Sequence, residues 1–208
     1  MSKTTVASSG IDLSDSFAFT GTVTGAGRFN LLNTTTVSSD VASVQFNNSL
    51  ITSTYSVYFC EFYGVQPATD QVQLFMGIST DNHASNTTSD MINRGFREMG
   101  DDSSSASAGF GDVYQTSAEE IRMAGKVFDA GGDTGRAGYG YAYLYNPTSS
   151  SRDTVWHWML DFYANDGNAG FVMGAGSVES AAAHNSWRFK FSSGNIDNGT
   201  FKLYGVTT

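Results

Sequence analysis

From Trp187 to Gly205 the chain reads Trp-Arg-Phe-Lys-Phe-Ser-Ser-Gly-Asn-Ile-Asp-Asn-Gly-Thr-Phe-Lys-Leu-Tyr-Gly. Trp187, Phe189 and Phe191 alternate with Arg188 and Lys190. Phe201 and Leu203 alternate with Lys202 and Tyr204. A period of two gives an extended strand one apolar face and one wet face, and no helix can present that pattern on one side. The link Ser192–Gly199 is built of Ser, Gly, Asn and Asp, which accept turn geometry at low cost. The expectation is a terminal β-hairpin whose loop is longer than the tightest type.

The same period recurs upstream. Phe17–Val23, Arg28–Thr36, Val41–Phe46, Val72–Ile78, Gly138–Tyr145, Val155–Tyr163 and Gly170–Val178 all read as strands. Tyr55–Gly64 is apolar on both faces, the mark of a central strand covered on two sides. Ser79–Ser107 is polar, with apolar residues only around Met91–Met99, and is expected to be an extended loop or a loop holding one short strand. Glu120–Val127 is read as a strand in preference to a helical turn over Thr116–Ala124. About ten to twelve strands at this spacing point to an all-β chain, an antiparallel β-sandwich of jelly-roll type. The expected organisation is an N-terminal arm and first strand over residues 1–27, then one sandwich domain over 28–208. The arm, Met1–Gly10, is polar and small, and is expected to hook a neighbouring subunit.

Only 15% of the 208 residues are charged, and Ser, Thr, Asn and 23 Gly fill the deficit. Aromatic residues reach 13%, which a disordered chain would lack. The formal net charge of −9 repels phosphate backbones and anionic headgroups, so neither nucleic acid nor a membrane surface is expected as a partner. No secretory leader is expected, because Met1–Gly10 has no apolar core. No apolar run approaches the length of a membrane-spanning helix. The single cysteine, Cys60, sits in an apolar strand and reads as a buried small hydrophobe.

Five phrases carry a resemblance. They are Phe189–Gly205, Tyr55-Ser-Val-Tyr-Phe-Cys-Glu-Phe-Tyr-Gly-Val-Gln-Pro-Ala-Thr-Asp70, Ile78-Ser-Thr-Asp81, Tyr145-Asn-Pro-Thr148, and Phe17-Ala-Phe-Thr-Gly-Thr-Val-Thr-Gly25. In these the chain resembles a family of small structural proteins of tailed phages, many from marine and aquatic hosts. The resemblance implies a virion component without enzymatic activity: a capsid decoration protein, a tail-fibre head or another appendage. It would be made in the host cytoplasm, displayed on the outer surface of the particle, and act as a homo-oligomer, expected to be a trimer. Other virion proteins, of capsid or tail, would be held through the N-terminal arm. One departure stands out. The family often carries a Ser-Thr-Asp-Gly-Gly turn, whereas Asn82 and His83 follow Asp81 here, so that loop is expected to differ in shape.

Two groups are candidate binding or interface residues. Tyr139, Tyr141, Tyr143 and Tyr145 share one strand face opposite Gly138, Gly140, Ala142 and Leu144. Aromatic faces stack on sugar rings or fill protein interfaces, so a host surface glycan is a second possible partner; core packing is the alternative. Trp156 and Trp158 share a face of the next strand, with His157 and Asp161 on the other, and read as a buried aromatic face or as part of the same surface. His157 and Asp161 lie about 13 Å apart along the strand, too far for half of a triad. No cofactor is expected. His83, His157 and His184 have no metal-ligand spacing. The turns Asp129–Asp133 and Asn165–Asn168 offer oxygen ligands suited to calcium, but read as plain turns. A glycan hydrolase would require two carboxylates about 5–10 Å apart in a cleft.

Overall fold

A computed structural model describes residues 27–84, 91–100, 106–110, 115–116, 120–124, 137–163, 169–179 and 181–208. Thirteen strands lie among them: β1 (Phe29–Val37), β2 (Val44–Phe46), β3 (Val57–Pro67), β4 (Leu74–Ser79), β5 (Met91–Gly100), β6 (Ala106–Phe110), β7 (Gln115–Thr116), β8 (Ile121–Arg122), β9 (Gly138–Tyr145), β10 (Val155–Tyr163), β11 (Ala169–Val178), β12 (Ser186–Phe191) and β13 (Ile196–Val206). All pairings are antiparallel. A nine-stranded sheet runs β1-β13-β3-β9-β10-β11-β5-β6, with β7 also on β5. A four-stranded sheet runs β2-β12-β4-β8. The result is an all-β sandwich with unequal layers, and the chain passes repeatedly from one layer to the other. The arm Met1–Gly10, the strand Phe17–Val23 and the turns Asp129–Asp133 and Asn165–Asn168 lie outside the described residues.

The layers meet through the apolar half of each alternation. Tyr58, Cys60, Phe62, Trp156, Trp158, Leu160, Phe201 and Leu203 point inward from the large sheet; Phe46, Leu74, Met76, Trp187 and Phe189 answer from the small one. Phe62, Phe189 and Phe201 form a closed triangle with ring centroids 5.6–6.0 Å apart. Each such ring removes on the order of 2–3 kcal/mol worth of apolar surface from water, so this cluster dominates the cohesion between the layers.

That triangle corrects the expected terminal hairpin. β12 pairs with β2 and β4, whereas β13 pairs with β1 and β3, so the two strands do not share a ladder. They form an arch whose strands face each other across the core. In a hairpin both apolar sets would lie on one face of one sheet. In the arch they point at each other, and Phe189 meets Phe201. Alternation fixes which side of a strand is apolar but says nothing about which sheet it joins.

Two further corrections follow. Met91–Gly100, where the alternative of one short strand within the loop fell, is a ten-residue strand paired along its whole length with β11. The pattern was weak because Arg94, Gly95 and Arg97 break up its apolar residues. In the Glu120–Val127 segment, of which residues 120–124 are described, the strand among the described residues is Ile121–Arg122. The both-faces pattern of Tyr55–Gly64 is half explained: β3 lies mid-sheet, and among the described residues a second layer covers its Tyr58, Cys60 and Phe62 side.

Glycines on β11 make room for the tryptophans. A Cβ on Gly174 would overlap the Trp158 ring, and one on Gly176 would overlap Trp156 and the Ile92 carbonyl. Gly174→Ala should therefore lower the unfolding free energy by about 2–3 kcal/mol, read from the urea midpoint at unchanged slope.

Candidate functional site

The outward face of the large sheet is built by the other half of the same alternation. Because β9 alternates, placing Ala142 and Leu144 in the core forces Tyr139, Tyr141, Tyr143 and Tyr145 outward together. The ladders then line these residues up with outward neighbours. One rung runs Leu31, Tyr204, Phe59, Tyr143, His157, Ala175, Arg94 across seven strands. The next runs Thr34, Lys202, Glu61, Tyr141, Met159, Met173, Phe96; the one on the other side begins Phe29, Val206, Val57, Tyr145, Val155, Ser177. The face is largely aromatic and apolar, yet Leu31 is 56% exposed, Tyr139 50% and Met173 47%.

Phe59 packs on Tyr143 at 4.7 Å and on Tyr204 at 5.8 Å. Tyr143 and Tyr145 stack, and His157 lies against both, with Tyr145 Oη 3.2 Å from His157 Nδ1. This crowding raises the Tyr143 and Tyr145 hydroxyl pKa values, through burial first and the neighbouring tyrosines second, and burial lowers that of His157. The central cluster is therefore uncharged at neutral pH. Glu61 accepts from the Tyr204 hydroxyl at 2.9 Å and pairs with Lys202 at 3.4 Å. A depression of about 700 Å³ opens beside His157, among Tyr141, Met159, Met173 and Phe96, with Arg94 at its rim. A second, of about 410 Å³, lies between Phe29, Val57, Tyr143 and Tyr145.

The opposite surface of the sandwich is different in kind. The outer side of the small sheet carries Gln45, Arg122, Arg188 and Lys190, with Phe75 between Lys190 and Arg122, and Glu120 held by Arg188 at 2.8 Å and by Lys190 at 3.0 Å. Arg188 and Glu120 are each only 17% exposed, so that side holds its charges in partly buried ion pairs. The tyrosine side is made of groups that gain by leaving water.

Trp156 and Trp158 are not part of this face. They point inward and have essentially no exposure. The Trp156 indole N–H donates to Asn93 Oδ1 at 3.2 Å, and that of Trp158 to the Met123 carbonyl at 2.9 Å. With their polar atoms satisfied in the core, they have no surface to offer a ligand. Cys60 is also buried, and burial, followed by the nearby Glu61, raises its thiol well above the ordinary range.

Folding makes two contacts that no local spacing announced. Ser186 Oγ lies 2.6 Å from His83 Nδ1, and Thr154 Oγ1 lies 2.9 Å from His184 Nδ1. Their partners are 103 and 30 residues away in sequence. The first has the spacing of a nucleophile and its base, but Ser186 has no exposed surface and cannot reach a substrate. Asp161 and Glu98 are both exposed and stand two strands apart in one register, with Phe171 at the position between them. Among the described residues no three His, Cys, Asp or Glu side chains gather to hold a metal ion.

The loop after Asp81 has a backbone that favours glycine. Asn82 and His83 have φ of 61° and 59°, and Ala84 N–H donates to the Asp81 carbonyl at 3.2 Å, closing a tight turn with two left-handed central residues. His83 fits because its ring lies over Gly77, the one position where that strand has no side chain in the way.

No protein-family model, curated protein or solved structure matches the chain.

Burial lowers the pKa of all three histidines, His83 to about 4, with Arg188 as its next cause. In the unfolded chain they take up protons near about 6.5. Between there and pH 4 the unfolded state holds more protons, so stability is full above that window and falls as the pH drops through it. Allowing for the partial exposure of His83, its share is about 1–2 kcal/mol. Thermal unfolding at pH 7.5 and pH 4.5 should show this loss, and His83→Asn, which tolerates the left-handed turn, should reduce it.

Proposed function

We propose that this chain is a non-enzymatic structural subunit on the exterior of a tailed-phage particle, a capsid decoration or fibre and appendage subunit. It acts by burying surface against copies of itself and against neighbouring virion proteins. One observation carries this reading: a nine-stranded sheet turns an aromatic face outward with its central titratable groups uncharged. Monomeric soluble proteins seldom expose an apolar patch beyond about 300–600 Å², and larger ones mark interaction sites. The resemblance of five sequence phrases to phage structural proteins is what suggests the particle.

A carbohydrate-binding reading has one observation in its favour. Tyr139 is half exposed at the margin, beside a depression of about 290 Å³ that it lines with Asp161, Tyr163 and Phe171, the mixture of aromatic face and carboxylate that holds a sugar ring. The virion reading explains the whole face; the sugar reading explains this corner.

Mass spectrometry of density-purified particles should find the chain at a fixed copy ratio to the major capsid or tail protein, with antibody labelling it on the outside. Tyr143→Asp, which places a charge at the centre of the face, should cut incorporation about tenfold while the isolated protein stays folded. Recovery of the chain only from the soluble lysate would reject the assignment.

A further inference from the structure

The outward face is self-complementary about a line parallel to its strands. Three strands, β1, β13 and β3, lie on one side of the β3–β9 seam, and the nearest three on the other are β9, β10 and β11, with β5 and β6 beyond them. Rotating a second copy by half a turn about an axis laid over that seam brings each outward residue opposite its mirror position in the same rung. We propose that the protein pairs with a second copy of itself through this face, about that two-fold axis, in place of the trimer expected from sequence. The inference rests on reading the face as an interface.

The register supports it rung by rung. In the central rung, Phe59 meets Tyr143 of the partner, Tyr204 meets the partner's His157, and Leu31 meets the partner's Ala175. Leu31 is the most exposed of the large apolar residues on the sheet, and Ala175 is among the smallest side chains on the face. Ala175 also lies on the wall of the 700 Å³ depression beside Met159 and Met173, so a projecting leucine finds a hole of matching chemistry. In the next rung Glu61 falls opposite the partner's Tyr141 hydroxyl, which can donate to it, and the Lys202 stem falls over Met159 of the partner. Across the central rung and its two neighbours no like charges oppose each other. Isologous pairing needs this property, that one patch serve as both partners.

The size also fits. The six paired strands from β1 to β11, each about 4.8 Å wide, cover about 29 Å, and Val155 to Asp161 rises about 20 Å, so two faces cover about 1,200 Å², the lower edge of a standard interface. A bound saccharide would use only part of that area. Pairing also covers the second apolar side of β3, which its sequence pattern requires and this chain's own second layer leaves open.

The test is sedimentation equilibrium of the intact chain with charge-swap variants. Wild type should dimerise at or below about 100 µM. Leu31→Arg and Ala175→Asp should each weaken dimerisation by at least about tenfold, and combining them in one chain should restore it to within about threefold of wild type, because each arginine then faces an aspartate across the axis. Circular dichroism confirms that each variant is folded. A wild type that stays monomeric, single variants that associate normally, or a double variant no better than either single one overturns the pairing. Saturable binding of a glycan by a monomeric wild type overturns it in favour of a sugar occupant. The particle assay above is separate: the chain could be abundant in virions with this pairing refuted, or pair as described and be absent from particles.

Discussion

The aromatic contact between the two sheets is the constraint from which the rest follows. Phe62, Phe189 and Phe201 meet across the sandwich, and Trp156, Trp158 and Trp187 fill the space beside them. With that much ring surface committed inward, every strand that supplies a ring has its register fixed, because slipping one residue would send the ring to solvent. Gly174 and Gly176 are the counterpart: large rings on β10 need bare backbone on β11, and the glycines leave it. Outward composition is set by the same register. Once Ala142 and Leu144 face in, the four tyrosines of β9 have no other place to go.

The two outer surfaces show what that freedom was used for. On the small sheet the outward positions hold Arg188 and Lys190 (both paired with Glu120), Gln45 (which donates to the Asn82 carbonyl) and one aromatic ring, Phe75. On the large sheet they hold stacked phenols, a neutral imidazole and thioethers. Both surfaces belong to one chain in one solvent, so the difference does not come from general composition. A surface whose titratable centre is kept uncharged and whose few charges, Glu61 and Lys202, neutralise each other is suited to being covered. The mechanism proposed for this protein needs no bond-making chemistry, only area, rigidity and register. An antiparallel sheet supplies all three.

The strand content could be read from the sequence, and for a clear reason. β9 and β10 have the bounds expected, since sidedness is a local property of a strand and repeats every two residues. Legibility failed where the evidence was not local. The terminal strands β12 and β13 have the pattern of a hairpin but join different sheets. β5 could be read only as one short strand within a loop, because arginines and a glycine dilute its alternation. In the turn at Asn82-His83, two side chains take left-handed angles that favour glycine, a backbone conformation no residue count reveals.

The candidate site divides along the same line. The sequence by itself determined that the four tyrosines share a side of one strand, and that two tryptophans share a side of the next. Only the tertiary structure decided that the tyrosines face solvent and the tryptophans the core. It also brought Leu31, Phe59, Met173, Tyr204 and the tyrosines, drawn from five strands far apart in sequence, into one surface. The physical reason is that alternation is a symmetric statement. It says that one side differs from the other, and only the second sheet, by packing against one of them, gives that difference a direction.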